Sequence, residues 1–154
     1  MNYVDINNHT LVSTIRDAIG GAVRAEDPKL IAPLSLAYIG DTVYDMFVRT
    51  ELVSNTDLPA HWLHVHAAKK VCAKAQAEAA RKLEPLFTEE EEGIFRRGRN
   101  SHIGTVPKNA SIADYRLATA LEAVVGWLYL SGQDRRLCEI MHKALFDNTD
   151  NQNI

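Results

Sequence analysis

LSLAYIGDTVYDMFVRTEL, residues 34–52, keeps its apolar side chains at helical spacing, with Leu36, Ile39, Val43 and Phe47 on one face. Pro33, just before it, suits a first helical position. A second stretch, YRLATALEAVVGWLYL at 115–130, is apolar around most of its circumference and runs to a Ser131-Gly132 stop. Helices with so little polar surface belong in the middle of a domain, so these two are expected to pack on one another. Strict apolar-polar alternation occurs nowhere along the chain, which predicts an all-α domain.

Residues 61–83 are rich in Ala, Lys, Gln and Glu, which predicts one helix that Pro85 ends. Thr88 followed three residues later by Glu91 has the pattern of a capping box. The acids at 89–92 then precede Arg96, Arg97 and Arg99 in the order a helix dipole favours, so a short helix is expected. Gly98, Gly104 and Pro107 interrupt any period in GRNSHIGTVPKNAS, residues 98–111, a loop of functional interest. Ser111 with Asp114 can cap the next helix, and a last helix over 134–146 puts Leu137, Ile140, Met141 and Leu145 on one side. Residues 1–28 read as a weakly structured N-terminal extension, because Gly20-Gly21 breaks any helix begun at Thr10 and Asp27-Pro28 closes the segment. The expected organisation is that extension, one domain over 29–146, and a flexible tail over 147–154.

A chain of 154 residues with 46% hydrophobic content fits one soluble domain and can bury a core without disulfides or a structural metal. The two cysteines, Cys72 and Cys138, lack Cys-x-x-Cys spacing and are too few for a secreted framework, which favours a reducing compartment and hence the cytoplasm. The most apolar run, 123–130, is too short to span a membrane, and the polar start MNYVDINNHT lacks the order of a signal peptide. A net charge of -3 argues against positive potential over the whole surface but leaves room for a local basic patch.

From 30 to 48 the only charged side chains are Asp41 and Asp45, and from 117 to 133 the only one is Glu122. In a helix Asp41 neighbours Ala37, Tyr44 and Val48, and Glu122 neighbours Ala118, Val125 and Gly126, so both faces are apolar. A buried carboxylate needs an arginine, a set of donors or a cation. Arg49 and Arg116 are the nearby arginines, and an ion pair with one of them is the plainer alternative. If the two helices pack together, the acids converge as hard oxygen ligands of the kind Mg²⁺ takes, with waters completing its shell. Such a centre permits phosphodiester hydrolysis. Asp45 lies about 40° around the helix from Asp41, further from the apolar face, and is better placed to pair with Arg49 at i+4.

From 93 to 113 there is no acid, while Arg96, Arg97, Arg99 and Lys108 are basic and Asn100, Ser101, His102 and Asn109 lie among them. That composition suits phosphate, through the planar fork of arginine, and sugar edges, through Asn and Ser. The alternative is a solvated loop whose arginines offset the acids at 89–92. Lys74 with Gln76 is a weaker candidate for touching a nucleic-acid backbone. His61, His64 and His66 lack a third ligand at metal-binding spacing and read as surface or capping residues. His-Glu-x-x-His and Gly-x-x-x-x-Gly-Lys patterns are absent.

LSLAYIGDTVYDMFVR resembles the signature helix of the ribonuclease III family, and ATALEAVVGWLYL its second signature. VCAKAQA together with RRGRNSHIGTVPKNASIADYR is similar to the family's short bacterial form, mini-ribonuclease III, in order and spacing from about 28 to 145. The resemblance implies an all-helical endonuclease domain that forms a homodimer and cuts double-stranded RNA with Mg²⁺, or Mn²⁺ as a substitute, leaving 5′-phosphate and 3′-hydroxyl ends. It makes Asp41 and Glu122 the catalytic, metal-binding acids. The further acids of the long-form enzymes are replaced here by Leu34, Ala37 and Thr119, as in the short form. No double-stranded RNA-binding domain follows the last helix, so Arg96, Arg97, Arg99, Lys108, Asn109 and Lys74 are expected to hold the A-form backbone. Trp127 or Phe47 could serve the homodimer. The short form's association with large-subunit (23S) ribosomal RNA maturation implies a ribosomal RNA precursor as substrate. The competing expectations are a non-catalytic RNA-binding or ribosome-associated protein of the same fold, and a helical interaction module whose acids merely bind arginines.

Overall fold

The computed structural model describes residues 9–20, 27–102 and 104–146, and among them every regular element is helical. The helices are α1 (Leu11–Ile19), α2 (Pro33–Asn55), α3 (Ala60–Val71), α4 (Ala73–Leu83), α5 (Glu89–Arg99), α6 (Ile112–Leu130) and α7 (Asp134–Phe146), with single 3-10 turns at Pro28–Leu30 and Glu84–Leu86. The expected all-α class holds. None of the helices is long and apolar enough to cross a membrane.

α6 is the axis of the fold, packed by α2, α4, α5 and α7. Its apolar circumference finds a wall on every side, so Leu121, Val124, Val125 and Leu128 are fully buried. The tightest crossing is with α2, and two glycines make it. A Cβ on Gly40 would lie 1.8 Å from the Glu122 carbonyl oxygen, and one on Gly126 would lie 2.0 Å from that of Leu36. Backbone therefore rests on backbone, which places Asp41, one residue after Gly40, over the turn of α6 that carries Glu122.

α5 opens with the capping box read from the sequence: Thr88 accepts from the Glu91 N–H, and the Glu91 carboxylate accepts from the Thr88 N–H at 2.9 Å. Glu91 is also only 1% exposed and bonds to Arg136 of α7 at 2.7 Å. Burial pushes its carboxyl upward, but the bonds from Arg136 and Thr88 outweigh this and hold it below the ordinary range. Ser111 caps α6, accepting from the Asp114 N–H at 3.0 Å.

Three expectations need correction. The single helix over 61–83 is two, α3 and α4, divided at Cys72, whose backbone is extended (ψ 156°). α3 packs on α2 whereas α4 packs on α6, and one straight rod cannot face both. The weakly structured extension gives way over α1, where Thr10 and Ser13 form a reciprocal capping box, Gly20 closes the helix with φ 60°, and Val12 is buried. The Leu11 N–H donates to Asp134 at 2.8 Å, anchoring α1 to the start of α7. Residues 1–8 and 21–26 of that extension, and the expected flexible tail 147–154, lie outside the described residues. Trp127 is 3% exposed and so is not a free apolar surface, while Phe47 is half-buried, packed against the core and lining a groove beside Met46 and Met141.

Candidate active site

Asp41 stands on the rim of the α2/α6 crossing and is exposed, while Glu122 is partly buried beneath it. Burial pushes the Glu122 carboxyl up to about 8, the negative charge of Asp41 pushes the same way, and the side-chain amide of Gln76 pulls against both. Asp41 is raised as well, by partial burial first and then by Asp45. The two acids therefore share one field, and the ionised form of each is disfavoured until something positive joins them.

No arginine among the described residues does so. Among the described residues no salt bridge includes Asp41 or Glu122. Arg49 is committed to Asp45 at 2.8 Å, the i+4 pairing expected from the sequence, and Arg116 is exposed with no bonded partner among the described residues. Two unpaired carboxylates at a helix crossing, one deep and one open to solvent, fit a hard divalent cation that keeps several waters. Among the described residues no third His, Cys, Asp or Glu joins them, so water and substrate oxygens would supply the other ligands. Thr119, one turn before Glu122, donates its hydroxyl to the Tyr115 carbonyl at 3.0 Å. Leu34 is exposed and Ala37 buried, so neither adds a ligand.

Two neighbours of Glu122 go beyond the expected site. Tyr44 is buried, and burial, then the charge of Glu122, then Cys72, push its hydroxyl up to about 12, so it stays neutral. Gln76, expected on the surface beside Lys74, is 1% exposed, and its buried amide nitrogen lies close enough to act on the Glu122 carboxyl without meeting full hydrogen-bonding geometry with any described residue. The only sequence signal for Gln76 was a polar side chain on an otherwise alanine-lined face with Ala73, Ala77 and Ala80.

The expected RNA-contacting residues fall into two groups. Arg96, Lys108, Asn109 and Lys74 are exposed and make no bond among the described residues. Arg97 instead donates to the Lys29 carbonyl at 2.6 Å and the Ile31 carbonyl at 3.5 Å, fastening the segment that leads into α2. Arg99 lies 6.0 Å over the Phe95 ring and 3.7 Å from Glu84. Gly98 between them lets α5 close on α6, since a Cβ there would lie 2.9 Å from the Ala120 Cα, two residues from Glu122. The basic segment is thus seated on the helix that carries the deep acid. His61 stacks against Trp62 with ring centroids 4.5 Å apart.

Residues 34–133 match the family described as Ribonuclease III domain. Mini-ribonuclease 3 of Thermoanaerobacter is 45% identical over 115 residues, 75% of this chain and 81% of that protein. Mini-ribonuclease 3 of Clostridium tetani is 46% identical over 124 residues, 80% of this chain and 82% of its relative. Among solved structures, the crystal structure of a Fusobacterium nucleatum protein superposes with a TM-score of 0.70 at 28% identity, covering 77% of this chain and 94% of that one. The family match takes in both crossing helices and the basic segment between them, and with these relatives it places the chain in the ribonuclease III family, as an endoribonuclease of the mini-ribonuclease 3 kind.

Proposed function

We propose that this endoribonuclease cuts double-stranded RNA at a divalent metal centre held by Asp41 and Glu122. The observation that carries the reading is a pair of carboxylates brought together by the Gly40/Gly126 crossing with no salt bridge to either among the described residues. Mg²⁺ bound there supplies an activated water and polarises the phosphoryl oxygen. Asp41, on the rim, meets the scissile phosphate, and Glu122 anchors the centre from below. Attack on phosphorus with departure of the 3′ oxygen leaves 5′-phosphate and 3′-hydroxyl ends. Arg96, Lys108, Asn109 and Lys74 hold the duplex backbone, which for an A-form helix is read by shape and 2′-hydroxyls. Arg97 and Arg99 act mainly by shaping that surface.

A homodimer supplies one site per strand. The outer face of α2 supports it: Tyr38 is 80% exposed, Leu34, Met46 and Val53 are exposed beside it along the helix, and Trp62 is exposed on α3. The substrate in the cell is a large-subunit (23S) ribosomal RNA precursor, met in the cytoplasm. The test is incubation with a long labelled duplex in Mg²⁺, beside an EDTA control and Asp41→Asn. Cleavage by the wild type alone is the expected result. A duplex bound in a salt-sensitive way yet left intact in both Mg²⁺ and Mn²⁺ would establish the non-catalytic RNA-binding alternative instead.

A further inference from the structure

Gln76 is the polar residue of the core that no local motif explains. α4 presents Gln76, Ala77, Ala80 and Leu83 to the interior, and this helix packs along α6, where Glu122 sits. The side chain is 1% exposed and its amide nitrogen is sealed from solvent, with no acceptor of full bonding geometry among the described residues. A buried donor left in that condition is unfavourable, so an apolar side chain of similar volume would suit the packing better. The group its amide acts on is the Glu122 carboxylate.

We propose that Gln76 is a positioning residue for the metal centre: once a cation is bound, its amide donates to one oxygen of Glu122 and turns the other toward the ion shared with Asp41. Outer-shell donors orient a ligating carboxylate in this way, and their loss weakens metal binding. A neutral donor suits the place. Lysine or arginine there would pair with Glu122 and cancel the charge that attracts the cation, whereas an amide fixes the carboxylate's direction and leaves its charge to the metal. The inference rests on the metal-centre reading above.

The test is Mn²⁺ affinity of the full chain by titration calorimetry without RNA, for wild type, Gln76→Met, Glu122→Gln and Asp41→Asn. Gln76→Met keeps the volume and removes the donor. It is expected to melt, metal-free, at or above the wild-type temperature and to bind Mn²⁺ roughly 10- to 100-fold more weakly. Wild-type affinity in Gln76→Met means the side chain only fills space, and overturns the proposal while the metal centre stands. Mn²⁺ binding by the wild type that survives both Glu122→Gln and Asp41→Asn overturns the metal centre and the proposal with it. Gln76→Leu is the second donor-less variant, and if neither it nor Gln76→Met folds, the role is structural and the proposal falls.

Discussion

A glutamate whose carboxyl is pushed from an ordinary 4.5 up to about 8 ties the stability of this protein to pH in one direction. Below about pH 4.5 the group is protonated both folded and unfolded and contributes nothing. Between there and about pH 8 the unfolded chain gives up the proton while the folded one keeps it, so stability is lost as the pH rises through that window. The metal-free protein is therefore expected to melt at a lower temperature at pH 8 than at pH 6. Glu122→Gln should melt higher than wild type at pH 8, and Mn²⁺ should raise the wild type but not that variant. Thermal melts across pH, with and without the ion, check all three. At this scale the contacts legible in the sequence are those between near neighbours, such as Asp45 with Arg49 and Thr88 with Glu91. The contacts of Gln76 and Arg97 were not legible because the groups they act on lie on other elements, 46 and 66 to 68 positions away in the chain: Glu122 for the first, the Lys29 and Ile31 carbonyls for the second.

The unit that assembles the site is the crossing of α2 and α6. Replacing Gly40 with alanine puts a methyl where the Glu122 carbonyl oxygen already lies at 1.8 Å, so the helices must part. Overpacking of this kind costs about 1–3 kcal/mol and here works against rigid backbone, which outweighs the gain of up to about 1 kcal/mol in helix propensity. Gly40→Ala should show a lower urea midpoint and lose duplex cleavage, whereas alanine at Gly93, where a Cβ meets nothing within 4 Å, should do neither. The period of α2 and α6 made both helices readable, because burial on most sides leaves few polar positions. The break at Cys72 was hidden since Ala, Lys and Gln favour helix on both sides of it, and only the two packing partners demand a bend. α1 escaped because its nine residues are too short for stable helix by themselves and its capping box uses Ser13 rather than a glutamate or glutamine.

For the whole molecule, a net charge of -3 must be reconciled with an anionic substrate. The reconciliation is local: Lys74, Arg96 and Lys108, on α4, the end of α5 and the loop into α6, are exposed, while Glu91, Glu84 and Asp114 are engaged with arginines. Each lost phosphate contact should flatten the salt dependence of duplex affinity by about 0.9 log units per log salt. Arg96→Ala and Lys108→Ala are expected to do this without lowering the melting temperature. Arg97→Ala should lower the melting temperature first, since its guanidinium holds the Lys29 and Ile31 carbonyls. The all-α class and the placement of the two acids at one helix crossing were legible because long apolar stretches with so few charges are rare, whereas which arginines bond to the protein's own groups depends on packing. The most direct test of the account is the rate of cleavage of a long RNA duplex as Mg²⁺ is titrated, for wild type and Glu122→Gln. The account predicts saturable, Mg²⁺-dependent cutting that falls by at least about 100-fold in the variant at any Mg²⁺ concentration, consistent with loss of a group acting on the transition state. Equal rates in the two proteins would contradict it.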